Sequence, residues 1–394
     1  MDLKLTDEQK LIRQSAREFV DNEIKPYVRD WELKGEVPDP VYKKMAAQGF
    51  LGAPIPEEYG GSGLDAVAYA ILTEELAKGC SSLRTSLSVN ASLFGQTLLR
   101  YGTEPQKKKW LVPCAKGEKL GAWALTEAQS GSDAAAMKMR ATKKGDGYVL
   151  NGSKMWISNG AKANHVVVYA TTDPKLKHKG ISCFVVEKGA KGFRPGVIET
   201  TNKLGLRSSP TAELVFEDCL VPKDQLIGKE GQGWDIAMYV LNHGRLSVAA
   251  GAVGIAQAAL EASIDYAKKR QAFGKPIGSF QLVKAKIAEM ATEVEAGRML
   301  VWRAALAKES YHNGDASYDE WGLAVSLAKL YTAQMCVRVA EEAVQIHGAN
   351  GYTNEYPVER YWRDSKICGI YEGTNEIQKL IIARHVLGKE LSET

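Results

Sequence analysis

The side-chain periodicity of this chain changes twice, and those two changes limit the folds open to it. From Thr6 to about residue 115 apolar residues recur at helical spacing, with Leu11, Ile12, Ala16, Phe19 and Val20 marking one buried face of a first helix. That helix opens on Thr6-Asp-Glu-Gln9, a capping box in which Thr6 accepts from the backbone and Gln9 reaches back. Prolines and glycines over residues 54–63 break the pattern, which resumes at 67–76 and 87–101. Between about Gly117 and Gly228 the texture becomes β-rich, in short runs at 148–150, 166–170, 181–186 and 212–216. With no helix among them, these runs predict an antiparallel barrel or sandwich. From about Gly231 the helical period returns. Residues 248–260 are rich in Ala and Gly and permit close packing, and 287–306 and 323–346 keep apolar positions at helical spacing. The expected class is α+β: an N-terminal helical domain over 1–117, a middle antiparallel β domain over 118–228 and a C-terminal four-helix bundle over 229–394.

Composition closes off several function classes. At 394 residues and 45% hydrophobic content the chain can bury ample cores. Lys plus Arg number 51 against 47 Asp plus Glu, and so small and dispersed an excess excludes nucleic acid as an expected partner while suiting an anionic small molecule. The first nine residues lack a basic stretch followed by an apolar run, and no segment approaches the roughly 20 apolar residues that cross a bilayer. A cytoplasmic protein with no membrane span is therefore expected. Cys80, Cys114, Cys183, Cys219, Cys336 and Cys368 are scattered, with no Cys-x-x-Cys and no His at ligand spacing. Neither a metal site nor a disulfide framework is expected, which fits a reducing compartment.

One carboxylate stands out for chemistry. In Gly369-Ile-Tyr-Glu-Gly-Thr-Asn-Glu-Ile-Gln378, Glu372 lies between an apolar pair and a glycine that leads into a predicted helix. A carboxylate flanked this way can be desolvated into a strong base, and the glycine admits a substrate close to the backbone. Its bland reading is a solvated first-turn residue stabilised by the helix dipole. Upstream stand Thr126-Glu-Ala-Gln-Ser-Gly-Ser-Asp133, Asn151-Gly-Ser-Lys-Met-Trp-Ile-Ser-Asn159, Arg270-Gln-Ala-Phe-Gly274 and Gln345-Ile-His-Gly-Ala-Asn-Gly351. These four motifs and Tyr371-Glu-Gly-Thr374, taken in order, resemble the acyl-CoA dehydrogenase family of flavoenzymes over essentially the whole chain.

The resemblance implies FAD as cofactor, an acyl-CoA substrate, an electron-transferring flavoprotein as acceptor and a homo-oligomer, usually a tetramer built as a dimer of dimers. The reaction implied is α,β-dehydrogenation, in which a base removes the α-proton while the β-hydrogen leaves as hydride to flavin N5. Glu372 matches the family's base, with its backbone N–H in the oxyanion hole. Some members carry the base directly before the position of Arg245, where this chain has Gly244. By the same match Trp123, Leu125, Thr126 and Ser132 hold the flavin ring, Ser132 also lying near CoA. Ala128 and Ser130 stand where the family usually has Pro and Ala. Trp156 would cover one flavin face and Ser158 would bond near N5. Arg270, Phe273, Gln281, Gln345, Gly348 and Gly351 match positions for the adenine and pyrophosphate half, partly across a subunit interface. Thr374 and Glu376 match the first turn of the closing helix, which Thr374 can cap. On the substrate side the match gives Asn242, Arg245, Tyr371 and Gly373. Taken singly, a strand tryptophan reads as core, Arg270 as a surface ion-pair former and Gly348 as a helix terminator.

The acyl group is addressed by Arg84-Thr85, which resembles the Arg-Ser pair that binds the distal carboxylate in glutaryl-CoA dehydrogenases and related enzymes of dicarboxylic or benzylsuccinyl substrates. A guanidinium in an apolar pocket is costly unless an anion meets it, so a dicarboxylyl-CoA is expected. The Glu that decarboxylating members carry seven residues earlier is Ala77 here, which points to oxidation without decarboxylation or to a different dicarboxylate. In the bland reading Arg84 snorkels to the surface or pairs with a nearby acid. The competing functions are a short- or branched-chain, butyryl-type dehydrogenase, a flavin oxidase that passes electrons to oxygen, and a catalytically silent CoA-binding protein.

Overall fold

A computed structural model gives the arrangement of residues 4–388; the outer ends of the first and third expected domains lie outside the described residues. The N-terminal segment is helical, with α1 (Asp7–Phe19), α2 (Val28–Lys34), α3 (Asp39–Ala47), α4 (Ala66–Gly79), α5 (Ser81–Ser88), α6 (Gln96–Tyr101) and the short α7 (Glu104–Gln106) and α8 (Val112–Ala115). The capping box forms: Thr6 Oγ1 accepts from the Gln9 N–H at 3.2 Å, and Gln9 Oε1 accepts from the Thr6 N–H at 3.1 Å. Ala16, Phe19 and Val20 are buried, but Leu11 is 63% exposed. It stands about 140° around the helix from Ala16, outside the buried face.

The middle segment is one eight-stranded sheet built from β1 (Gly121–Ala124), β2 (Arg140–Lys144), β3 (Gly147–Ser158), β4 (His165–Thr171), β5 (Ile181–Glu187), β6 (Phe193–Glu199), β7 (Thr211–Pro222) and β8 (Leu226–Ile227). Its order is β6-β7-β3-β2-β4-β5-β8, with β1 beside β4. Most pairs are antiparallel, as the β-rich runs predict, but β4 runs parallel to β1 and to β2. All seven residues of β4 are buried, the pattern of a strand covered on both faces.

The last segment contains α9 (Gly233–Lys269), a hairpin of β9 (Gln271–Ala272) and β10 (Lys275–Pro276), and then α10 (Gln281–Asn313), α11 (Tyr318–His347), α12 (Val358–Ser365) and α13 (Asn375–Leu387). The hairpin was not foreseen from the sequence. Phe273 and Gly274 turn it with φ of 50° and 76°, the left-handed pair a two-residue turn needs. By length and composition α9 is apolar enough to cross a membrane, contrary to the expectation that no segment approaches this. However, 78% of its apolar window is buried inside the protein, and α9 is the central core helix. Its small residues set the packing distance: a Cβ added at Gly254 would meet the Glu74 carbonyl at 2.2 Å, so α4 rests against bare backbone. A single hydrophobic cluster joins α4, the buried faces of β4 and β5, and α9 to α11. Among the described residues all six cysteines are unpaired and buried.

Candidate active site

The turn before α13 carries Glu372 in the left-handed region, at φ 54°, followed by Gly373 at φ 93°. A residue with a Cβ costs on the order of 1–2 kcal/mol there, so the surroundings must hold it. Arg245 Nε donates to the Glu372 carbonyl at 3.2 Å. Lys329 Nζ and Gln378 Nε2 donate to the Gly373 carbonyl at 2.7 and 3.1 Å. Thr374 Oγ1 accepts from the Ile377 N–H at 3.3 Å and caps α13. Glu372 Oε2 is sealed from solvent and has no hydrogen-bond partner. Burial pushes this carboxyl up to about 7, against the opposing pull of Arg84, Arg245 and Lys329. Near neutrality, a desolvated carboxylate of this kind can take a proton from a weak carbon acid. Room for it comes from Gly244, where an added Cβ would lie 1.8 Å from Oε2.

Arg84 lies on α5 and is 1% exposed. It donates to the Tyr371 hydroxyl, and its guanidinium sits over the Tyr371 ring at 5.8 Å. Its Nε has no partner, and it makes no ion pair among the described residues. The snorkelling and acid-pairing alternatives therefore do not describe it. The glycines of α9 make space here too, since a Cβ at Gly251 would stand 2.7 Å from Arg84 Nε. Thr85 is less available than its place in the motif suggests, because its hydroxyl donates to the Ser81 carbonyl at 2.9 Å within α5. Asn242 is buried on α9, and its Oδ1 accepts from Arg245 Nη1 at 3.0 Å.

Two buried residues that the sequence reading passed over brace the 126–133 loop. Lys154 Nζ donates to the Leu125 carbonyl at 2.9 Å and to Glu127 Oε1 at 2.8 Å. Glu127 also accepts from the N–H groups of Lys138 and Met139 at 2.7 and 3.0 Å. Lys154 occupies an inward position of β3, and a lysine there was the signal that a buried acid must meet it. The Met155 N–H donates to the Thr126 carbonyl at 2.9 Å, which brings Thr126 against β3. Trp156 is 56% exposed with φ 63°, Ser158 is half-buried and Ser132 is exposed. Trp123 donates through Nε1 to the Tyr169 hydroxyl at 3.1 Å.

The remaining expected residues gather elsewhere. Arg270 ends α9, Phe273 is 95% exposed on the hairpin and packs edge-on against Phe280 at 5.9 Å, and Gln281 begins α10. Gln345 is exposed near the end of α11, and Gly348 at φ 59° terminates that helix. His347 stacks on Tyr266 at 4.2 Å, and Asn350 Nδ2 donates to the Tyr266 hydroxyl at 2.9 Å, which fixes this loop to the C-terminal end of α9. Arg245 and Arg270 are 25 residues apart along α9 and its cap, a rise of about 38 Å. One chain does not bring this group to Glu372. Glu376 is exposed in the first turn of α13.

Comparison with known proteins matches the architecture segment by segment. Residues 6–118, 122–219 and 231–387 match the N-terminal, middle and C-terminal domains of acyl-CoA dehydrogenase. The short-chain specific acyl-CoA dehydrogenase of Clostridium acetobutylicum is 45% identical over 97% of this chain and 99% of its own length. Butyryl-CoA dehydrogenase of Megasphaera elsdenii is 41% identical, with a TM-score of 0.94 over 98% of this chain and 100% of that one. A glutaryl-coenzyme A dehydrogenase in complex with glutaryl-CoA is 42% identical, with a TM-score of 0.93 over 98% and 97%. A chain from the structure of the electron transferring flavoprotein of Acidaminococcus fermentans is 44% identical, with a TM-score of 0.94 over 98% and 100%. Identities of 41% and 42% do not single out the glutaryl enzymes, so the special closeness suggested by the pocket motif is not borne by overall similarity. With all three domains matched and full-length relatives above 40% identity, the chain belongs to the acyl-CoA dehydrogenase family.

Proposed function

We propose that this chain oxidises a short acyl-CoA thioester to the enoyl-CoA, with Glu372 removing the α-proton. The observation that carries the proposal is the buried, unpartnered Glu372 Oε2 facing the bare backbone of Gly244. FAD, when bound, supplies the acceptor for the β-hydride. The residues present suit it: Trp156 offers an exposed indole to a flat ring, and the adjoining loop offers the Ser132 hydroxyl and backbone polar groups. Arg270 and the Gln345 to Gly351 stretch would hold the far half of the cofactor from a second copy of the chain, because they stand so far from Glu372. An active unit of at least a dimer follows, within the tetramer usual for the family. An electron-transferring flavoprotein is the proposed acceptor, supported by the likeness to the Acidaminococcus chain.

The short-chain relatives favour a butyryl-type substrate. A second reading, a short acyl group bearing a terminal carboxylate as in glutaryl- or benzylsuccinyl-CoA, is favoured by one observation: Arg84 is buried with its Nε unpartnered and forms no ion pair among the described residues. The deciding measurement is kcat/KM on glutaryl-CoA and benzylsuccinyl-CoA relative to butyryl-CoA, in wild type and in Arg84→Ala. Loss of at least tenfold confined to the dicarboxylyl thioesters supports the second reading. An equal loss on both classes leaves the butyryl-type reading standing, and a failure of every thioester to reduce the bound flavin removes the function altogether.

A further inference from the structure

We infer that Lys329 is a positioning residue for the catalytic base: from α11 it clamps the Gly373 carbonyl while Arg245 clamps the Glu372 carbonyl from α9, and together they hold the turn that aims the Glu372 carboxylate. This rests on the reading of Glu372 as the base.

Lys329 is wholly buried, and among the described residues it makes no ion pair. An ammonium in a helical core is expensive, and a Leu or Met would fill the same space without that cost. The hydrogen bond it makes runs to the Gly373 carbonyl at 2.7 Å, the shortest of those that restrain this turn. Two successive carbonyls are thus pinned by cations from two different helices, the second in the peptide after Gly373 and the first in the peptide that joins Glu372 to Gly373, both residues having positive φ. Gly373 would otherwise let that peptide rotate and swing the carboxylate with it. Displacing a reacting group by about 1 Å can cost about 10²-fold in rate. Burial pulls Lys329 down to about 8, opposed by Cys368 and Glu372, so it still carries charge at neutral pH. The charged and titratable groups facing Glu372 are Arg84 from α5, Arg245 from α9 and Lys329 from α11, with the Tyr371 hydroxyl alongside.

The test uses the full-length, FAD-loaded enzyme with Lys329→Met, Lys329→Gln and Glu372→Gln, and the thioester that wild type turns over fastest. Lys329→Met is expected to lower kcat about 10²-fold with KM within about threefold. It should also move the Glu372 titration upward in pH, since one of three cations favouring the ionised base is gone. That titration is read independently of turnover from the carboxyl C=O infrared band that disappears in Glu372→Gln. Lys329→Gln keeps a donor and should recover part of the rate without restoring the titration. A folded, FAD-replete Lys329→Met with wild-type kcat and an unmoved titration overturns the proposal. So does failure of both Lys329 variants to fold or to retain FAD, which would assign the residue to stability alone. Substantial turnover by Glu372→Gln would instead defeat the base reading on which the proposal stands.

Discussion

Trp156, Phe273 and Glu372, three residues expected at the site from the family resemblance, all have left-handed backbone, at φ 63°, 50° and 54°. Side chains seldom take this conformation unless their surroundings fix it, and such strain collects at functional sites. Glu372→Gln preserves shape and removes the base, so the variant should fold, retain FAD and fall below about one per cent of wild-type turnover. Measuring flavin content together with kcat checks this. Raising the Glu372 carboxyl from 4.5 to about 7 favours its protonated form in the folded chain. The base is therefore withdrawn as pH falls through about 7, and kcat/KM in the free enzyme should drop about tenfold per unit below it while levelling off above. Stability has the opposite sign: the folded state holds an extra proton between those two values, so stability declines as pH rises across that window, by up to ~3 kcal/mol. Glu372→Gln should accordingly raise the melting temperature more at pH 8 than at pH 5. The sequence made Glu372 legible through its apolar and glycine neighbours. It did not reveal Lys329 or Gln378 as its supports, because their hydrogen bonds to the turn depend on how α11 and α13 pack.

At the scale of elements, β3 does more than present Trp156. Its inward lysine binds the loop between β1 and β2, with Lys154 and Glu127 paired at 2.8 Å and almost completely buried. Removing one partner of such a pair leaves the other charge stranded, and Lys154→Met should cost about 3–5 kcal/mol, seen as a lower melting temperature and faster loss of FAD. A merely exposed ion pair would cost less than about 1 kcal/mol, which is the outcome that denies the brace. The period of α1 was readable from the sequence because it follows from burial of one face, while β4 and β5 were readable as continuous apolar runs. The β9–β10 hairpin was not, since its four paired residues carry no period and its turn rests on a phenylalanine in a conformation usually left to Gly, Asn or Asp. The parallel partners of β4 were equally hidden: five consecutive buried apolar residues state that both faces are covered but not which neighbour lies alongside.

At the scale of the molecule, the switches in period located helix, sheet and helix, while the way the three meet is a matter of packing. One core cluster runs through all of them, and α9 is its spine. That helix holds Arg245 beside Glu372, the proposed base, in its first half and ends at Arg270, about 38 Å further on. A function shared between two such distant points has a genetic signature. With the proposed arrangement, a subunit carrying Glu372→Gln and another carrying Arg270→Ala are each inactive when pure. Mixed randomly, half of the dimers contain one of each, and in those one of the two sites draws an intact Glu372 from one subunit and an intact Arg270 from the other. About a quarter of all sites should therefore regain full activity on co-expression. Such interallelic complementation cannot arise if every site is confined to a single polypeptide.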